Sequence, residues 1–76
     1  MEQKVLAIIA ELLETPKELL HPDSSPETLA RWDSTNHMRM IIGLEEAFGI
    51  VFEDDQIVEL TTVQKVIDAV KLLSPA

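Results

Sequence analysis

Ser34 directly follows Asp33, and the pair opens an apolar-periodic stretch that runs to Phe48. A serine so placed can attack a substrate, cap a helix or bear a covalently attached group. Attack needs a base within reach and a third residue to orient that base. His37 stands three residues on, but spacing supplies no partner to complete the arrangement. The plainer role for His37 is a histidine packed at the core edge or bonded to a loop. His21 and His37 lack the i, i+4 spacing of a helical metal pair. The chain has no cysteine, which removes disulfides, thiolate metal sites and a cysteine nucleophile. No catalytic residue and no metal site are therefore expected, and the chain does not read as an enzyme. Both Asp33 and Ser34 carry side chains that accept bonds from the orphan N–H groups of a helix start. The same terminus is a favourable seat for an anion, so a phosphodiester on Ser34 would sit in a supportive field. The dipeptide is compatible with either role.

The charge balance narrows the partners. The 76 residues carry a net charge of −8, with a pI near 4.4. Nucleic acid and anionic membrane both require a basic footprint, so neither is an expected partner. Surfaces bearing Lys and Arg are, because complementary fields steer the encounter. Between Met40 and Gln64 there is no Lys or Arg, whereas Glu45, Glu46, Glu53, Asp54, Asp55 and Glu59 all fall there. That run is either a solvated face or a docking face. The first apolar run carries acids and lacks a small-residue cleavage site, unlike a secretory signal. No apolar stretch approaches the roughly 18 residues that span a bilayer. The expectation is a cytoplasmic monomer.

The length permits one domain, 1–76, with a modest core. Residues 2–14 read as an amphipathic helix through Val5, Leu6, Ile8, Ile9, Leu12 and Leu13, with Pro16 just past its end. A long connection holds Pro16, Pro22 and Pro26. Leu19, Leu20 and Leu29 are expected to pin it to the core, with Trp32 anchoring its end. A second helix should start at Asp33-Ser34 and run to Phe48, stopped by Gly49. A short element around 54–60 follows, opened by Asp54 and Asp55. Thr61 or Thr62 then caps a last helix containing Val63, Val66, Ile67, Val70 and Leu73, ended by Ser74-Pro75. The fold class is all-α: a four-helix bundle of three main helices plus one short helix, with a long first loop.

The second helix displays two apolar regions. At about 100° per residue with Ser34 at zero, Met40, Ile41, Leu44 and Phe48 share an arc from about 240° to about 340°. That is the core face. Met38 and Ile42 fall near about 40° and about 80°, on the side of Ser34, Thr35, Glu45 and Glu46. They either widen the core stripe or form an adaptable apolar spot on a docking surface. Arg39 flanks this side. Thr35, four residues before it, is uncharged, and Glu46 lies seven residues on, so Arg39 is expected to stand free in water.

The string WDSTNHMRMIIGLEEAFGIVF resembles the centre of the phosphopantetheine carrier proteins, the acyl carrier protein family. Asp33-Ser34-Thr35 corresponds to the family's Asp-Ser motif at the start of the second helix. Met38, Ile41 and Ile42, then Leu44-Glu45-Glu46-Ala47-Phe48, follow in register. Leu60-Thr61-Thr62-Val63-Gln64 and Val66-Ile67 look like the start of the family's fourth helix, so the likeness covers almost the whole chain. The resemblance implies an acyl-carrier-like bundle of the stand-alone type. It implies a covalent 4'-phosphopantetheine arm on Ser34, added by a phosphopantetheinyl transferase from coenzyme A. The arm's thiol would carry acyl or aminoacyl groups as thioesters. Asp33, Glu45 and Glu46 match the family's acidic recognition positions, and Met38 and Ile42 its apolar docking positions; Thr35 and Arg39 lie among them. The implied partners are that transferase, an acyl- or aminoacyl-activating ligase or transferase, and downstream synthase enzymes.

Departures from the pattern point to a specialised biosynthetic pathway. Thr35 replaces the usual leucine, and Arg39 stands where fatty-acid carriers have an acid. Trp32 and His37 look more like carriers loaded by dedicated activating enzymes. A housekeeping fatty-acid carrier, an aminoacyl or peptidyl carrier and an unmodified helical adaptor are the rival readings.

Overall fold

The computed structural model describes residues 2–74. Four α-helices follow in order: α1 (Glu2–Leu12), α2 (Ser34–Phe48), α3 (Asp54–Glu59) and α4 (Val63–Leu73), with a 3-10 turn at Lys17–Leu19 between the first two. No strand occurs among the described residues. Pro75, expected to help end the last helix, lies outside them. No helix is long and apolar enough to cross a membrane among the described residues.

Three helices build the core with period-3.6 stripes. Val5 and Ile9 come from α1, Met40, Ile41 and Leu44 from α2, and Val63, Val66, Ile67 and Val70 from α4. Leu13, Trp32, Ile50, Phe52 and Leu60 fill in from the connections. The third helix contributes no buried residue of its own. Phe52 before it and Leu60 after it are buried and moor it at both ends. At Gly43 a Cβ would run into Leu12 Cδ1, so the glycine leaves room on α2 for that leucine of α1.

Two helices end by the same device. Gly49 adopts a left-handed φ of 65°, and both its N–H and that of Ile50 return to the Glu45 carbonyl. The first helix stops two residues short of the expected Glu14 because Glu14 itself turns left-handed, at φ 52°. Its N–H reaches the Glu11 carbonyl, and that of Thr15 reaches Ala10. Pro16 then disfavours helical geometry at the residue before it.

The long connection is ordered by backbone accounting. The helix α4 begins with orphan N–H groups, and the loop supplies acceptors: Ser24 O takes Val63 N–H at 3.0 Å and Pro22 O takes Gln64 N–H at 2.9 Å. Thr62 Oγ1 takes the next, Lys65 N–H, at 3.1 Å. Leu20 and Leu29 pack against the core, as expected, and Trp32 is buried. Leu19 does not: it is 54% exposed, because the 3-10 turn directs it outward.

Candidate functional site

Ser34 is exposed and is the first residue of the 15-residue helix α2. The cap is Asp33, whose Oδ1 accepts Asn36 N–H at 2.8 Å. Its backbone carbonyl takes His37 N–H, the first bond of the helical ladder. That leaves the N–H groups of Ser34 and Thr35 without a partner inside the helix, pointing out of its positive end. Such a terminus suits an anionic ester on the Ser34 oxygen.

Ser34 and Asp33 stand at the rim of a groove of about 500 Å³ between α2 and α3. Met38 lines one side, and Ile57, Val58 and Leu60 line the other. Trp32 and His37 also face it, and they are joined: Trp32 Nε1–H donates to His37 Nδ1 at 2.8 Å. The two rings lie edge to edge, as an in-plane bond requires, with centroids 6.1 Å apart and planes 20° from parallel. His37 Nε2 lies 3.0 Å from the Ile57 carbonyl. An indole N–H can only donate, so Nδ1 must accept and the imidazole proton belongs on Nε2, aimed at Ile57. His37 is thus a bonded histidine, with no role as a base.

The structure separates the two readings of the α2 surface. Met38 is 45% exposed and Ile42 52% exposed, so neither widens the core. With Thr35 and Glu46, also exposed, they share the side of the helix that carries Ser34. Glu45 behaves differently from the exposed glutamate expected. It is half-buried, and its Oε2 accepts Phe52 N–H at 2.8 Å. Arg39 is not free in water either. Its Nη1 lies 3.5 Å from Glu14 Oε2 and donates to Asn36 Oδ1 at 3.1 Å. The same Glu14 receives Arg31, at 3.6 Å. The groove therefore gathers Asp33, Ser34 and Met38, while Arg39 is drawn towards the end of α1.

Sequence reasoning missed the bond network behind the α3 wall. Ile57 and Val58, adjacent apolar residues in a run of acids, were the visible signal of an apolar face there.

The sequence model of the family described as "Phosphopantetheine attachment site" matches residues 3–70. An acyl carrier protein of Thermosynechococcus vestitus is 36% identical over 66 residues, covering 87% of this chain and 82% of that protein. One from Rickettsia canadensis is 31% identical over 71 residues, covering 93% and 83%. The fold is similar to the solution NMR structure of a holo acyl carrier protein from Geobacter metallireducens. The TM-score is 0.84 at 24% identity, over 95% of this chain and 83% of that one.

Proposed function

The chain belongs to the phosphopantetheine-attachment family, among the acyl carrier proteins, and from that premise we propose that Ser34 bears the arm and that the protein serves a specialised biosynthetic pathway. Proteins of this family are carriers rather than enzymes. The covalently bound 4'-phosphopantetheine supplies a thiol on which acyl groups are held.

One observation carries the choice of serine: Ser34 is exposed as the first residue of α2, at the rim of an apolar groove. The rival serines are occupied. Ser24 is buried, and its Oγ accepts His21 N–H at 2.9 Å. Ser25 is half-buried, and its Oγ accepts Glu27 N–H at 3.2 Å. The free N–H groups at the start of α2 would receive the phosphate oxygens, and Met38 with Ile57 and Val58 would line the path of the arm. Asp33 caps the same terminus through Oδ1 while its side chain stays exposed.

Transferase and downstream synthases would dock over Asp33, Thr35, Met38, Ile42 and Glu46, the exposed members of the Ser34 side. Glu45 would contribute its charge while serving structure. The specialised pathway, with a dedicated acyl- or aminoacyl-activating ligase or transferase, is supported by Thr35 after the serine and by the Trp32–His37 pair beside it.

Incubation with coenzyme A and a broad-specificity phosphopantetheinyl transferase tests the assignment by intact mass. Wild type should gain one arm and Ser34→Ala none. An adduct on Ser34→Ala, or one mapped to Ser24 or Ser25, would sink it.

A further inference from the structure

The third helix is the weak member of the groove. It has six residues and no buried side chain, whereas an isolated helix in water needs roughly 12 or more to persist. Its last-turn carbonyls lack partners within the helix. The Ile57 carbonyl receives only a long contact from Leu60 N–H, at 3.4 Å. The better donor is His37 Nε2, at 3.0 Å, from α2. Trp32, buried and fixed through its own Nε1–H, keeps the proton on that nitrogen.

We infer that His37 is a positioning residue: the Trp32–His37–Ile57 chain of bonds fixes α3 against α2, so that Met38 and Val58 meet an incoming enzyme as one surface beside Ser34. The inference rests on the assignment of the arm to Ser34. Val58 gains nothing from the core, since it is 76% exposed. Its position relative to Met38 depends on what fixes α3. Phe52 and Leu60 moor the ends of the segment by burial and Ile57 packs partly against the core between them, but burial is non-directional. The hydrogen bond from His37 sets the orientation at the middle of the wall.

Two substitutions divide the network. In His37→Asn the amide oxygen stands where Nδ1 stood and still accepts from Trp32, but the side chain is too short to reach Ile57. In His37→Gln an amide N–H reaches the height of Nε2 and again donates to Ile57. Two readouts apply: amide hydrogen exchange of residues 57–60, and KM with kcat for arm attachment by a phosphopantetheinyl transferase. For His37→Asn, exchange in α3 should accelerate about five- to tenfold, the loss of one hydrogen bond, while α1 and α4 exchange as in wild type. KM should rise severalfold, by a larger factor than kcat falls, and His37→Gln should restore both quantities towards wild type. Equal behaviour of Asn and Gln, or wild-type exchange and KM in His37→Asn, would overturn the inference. Imidazole ¹⁵N shifts of the unmodified wild type give a reading that needs no variant: a proton on Nε2 is expected, and one on Nδ1 refutes it. Failure of wild type to accept the arm would instead refute the Ser34 assignment.

Discussion

The carboxylate of Glu45 accepts the backbone N–H of Phe52 at 2.8 Å and so ties the last turn of α2 to the segment that leads into α3. Glu45 and Glu46 are neighbours in sequence and differ in kind. The first is half-buried and bonded, and the second is exposed. A charge-assisted bond to a backbone N–H contributes about 1.5–3 kcal/mol, whereas an exposed charge contributes little. Glu45→Lys should therefore destabilise by about 2 kcal/mol, and Glu46→Lys should stay within about 0.5 kcal/mol of wild type. Urea denaturation of the two single variants reads the difference. Equal midpoints would show that the Phe52 bond is worth nothing in solution. It follows that a docking role for this acidic pair is best tested at Glu46.

Asp33 can be divided into a cap and a charge. Asp33→Ala removes the acceptor for Asn36 N–H and should cost about 1 kcal/mol. Asp33→Asn keeps an acceptor and should leave stability near wild type. If a basic enzyme surface reads the charge, arm attachment slows for both variants, with the difference from wild type shrinking at high salt. Attachment at the wild-type rate for Asp33→Asn would reduce Asp33 to a cap.

Glu14 combines strain with two ion pairs. Its left-handed φ of 52° costs an L-residue roughly 1–2 kcal/mol. Arg31 and Arg39 return about 0–1 kcal/mol each, because all three side chains are about half exposed or more. Glu14→Ala loses the pairs and retains the strain, while Glu14→Gly loses the pairs and the strain together. The glycine variant should be the more stable of the two by about 1 kcal/mol. Thermal melts at two salt concentrations check this, and equal melting temperatures would refute it.

Arg39 shares its charge with Glu14, and the proposal of a specialised pathway makes it a test of discrimination against a fatty-acid carrier's partners. Arg39→Glu should cost about 1–2 kcal/mol, since the exposed pair with Glu14 is lost, a like pair is gained, and the donor to the buried Asn36 Oδ1 goes with the guanidinium. A fatty-acid ketosynthase should use the acylated wild type poorly and Arg39→Glu better, through relief of like-charge repulsion. Glu14→Gln is the control: it leaves Arg39 unpaired by Glu14 and should make the ketosynthase slower still. If neither variant changes the kinetics, Arg39 is not read by that enzyme, and the case for a specialised pathway loses one of its supports.

What the sequence determined by itself was local. The stop at Gly49 and the two helix starts act on backbone groups within one turn, so residue type placed those ends to within a residue. The structure chose Asp33 over Ser34 and Thr62 over Thr61 as the caps. Helical periodicity likewise put Met40, Ile41 and Leu44 in the core and Ser34, with Met38 and Ile42, outside that arc. The tertiary structure decided whatever needed a partner from elsewhere in the chain. Arg39 meets Glu14 across 25 positions, and His37 meets Ile57 across 20. Glu45 bonds Phe52 beyond the end of its own helix. The same holds for the loop, whose Ser24 and Pro22 carbonyls receive the first N–H groups of α4. Helical arithmetic sees neighbours three and four residues apart. A buried or bonded polar group is settled by whichever donor or acceptor the packing of other elements brings within about 3 Å, and that distance has no counterpart in the order of the residues.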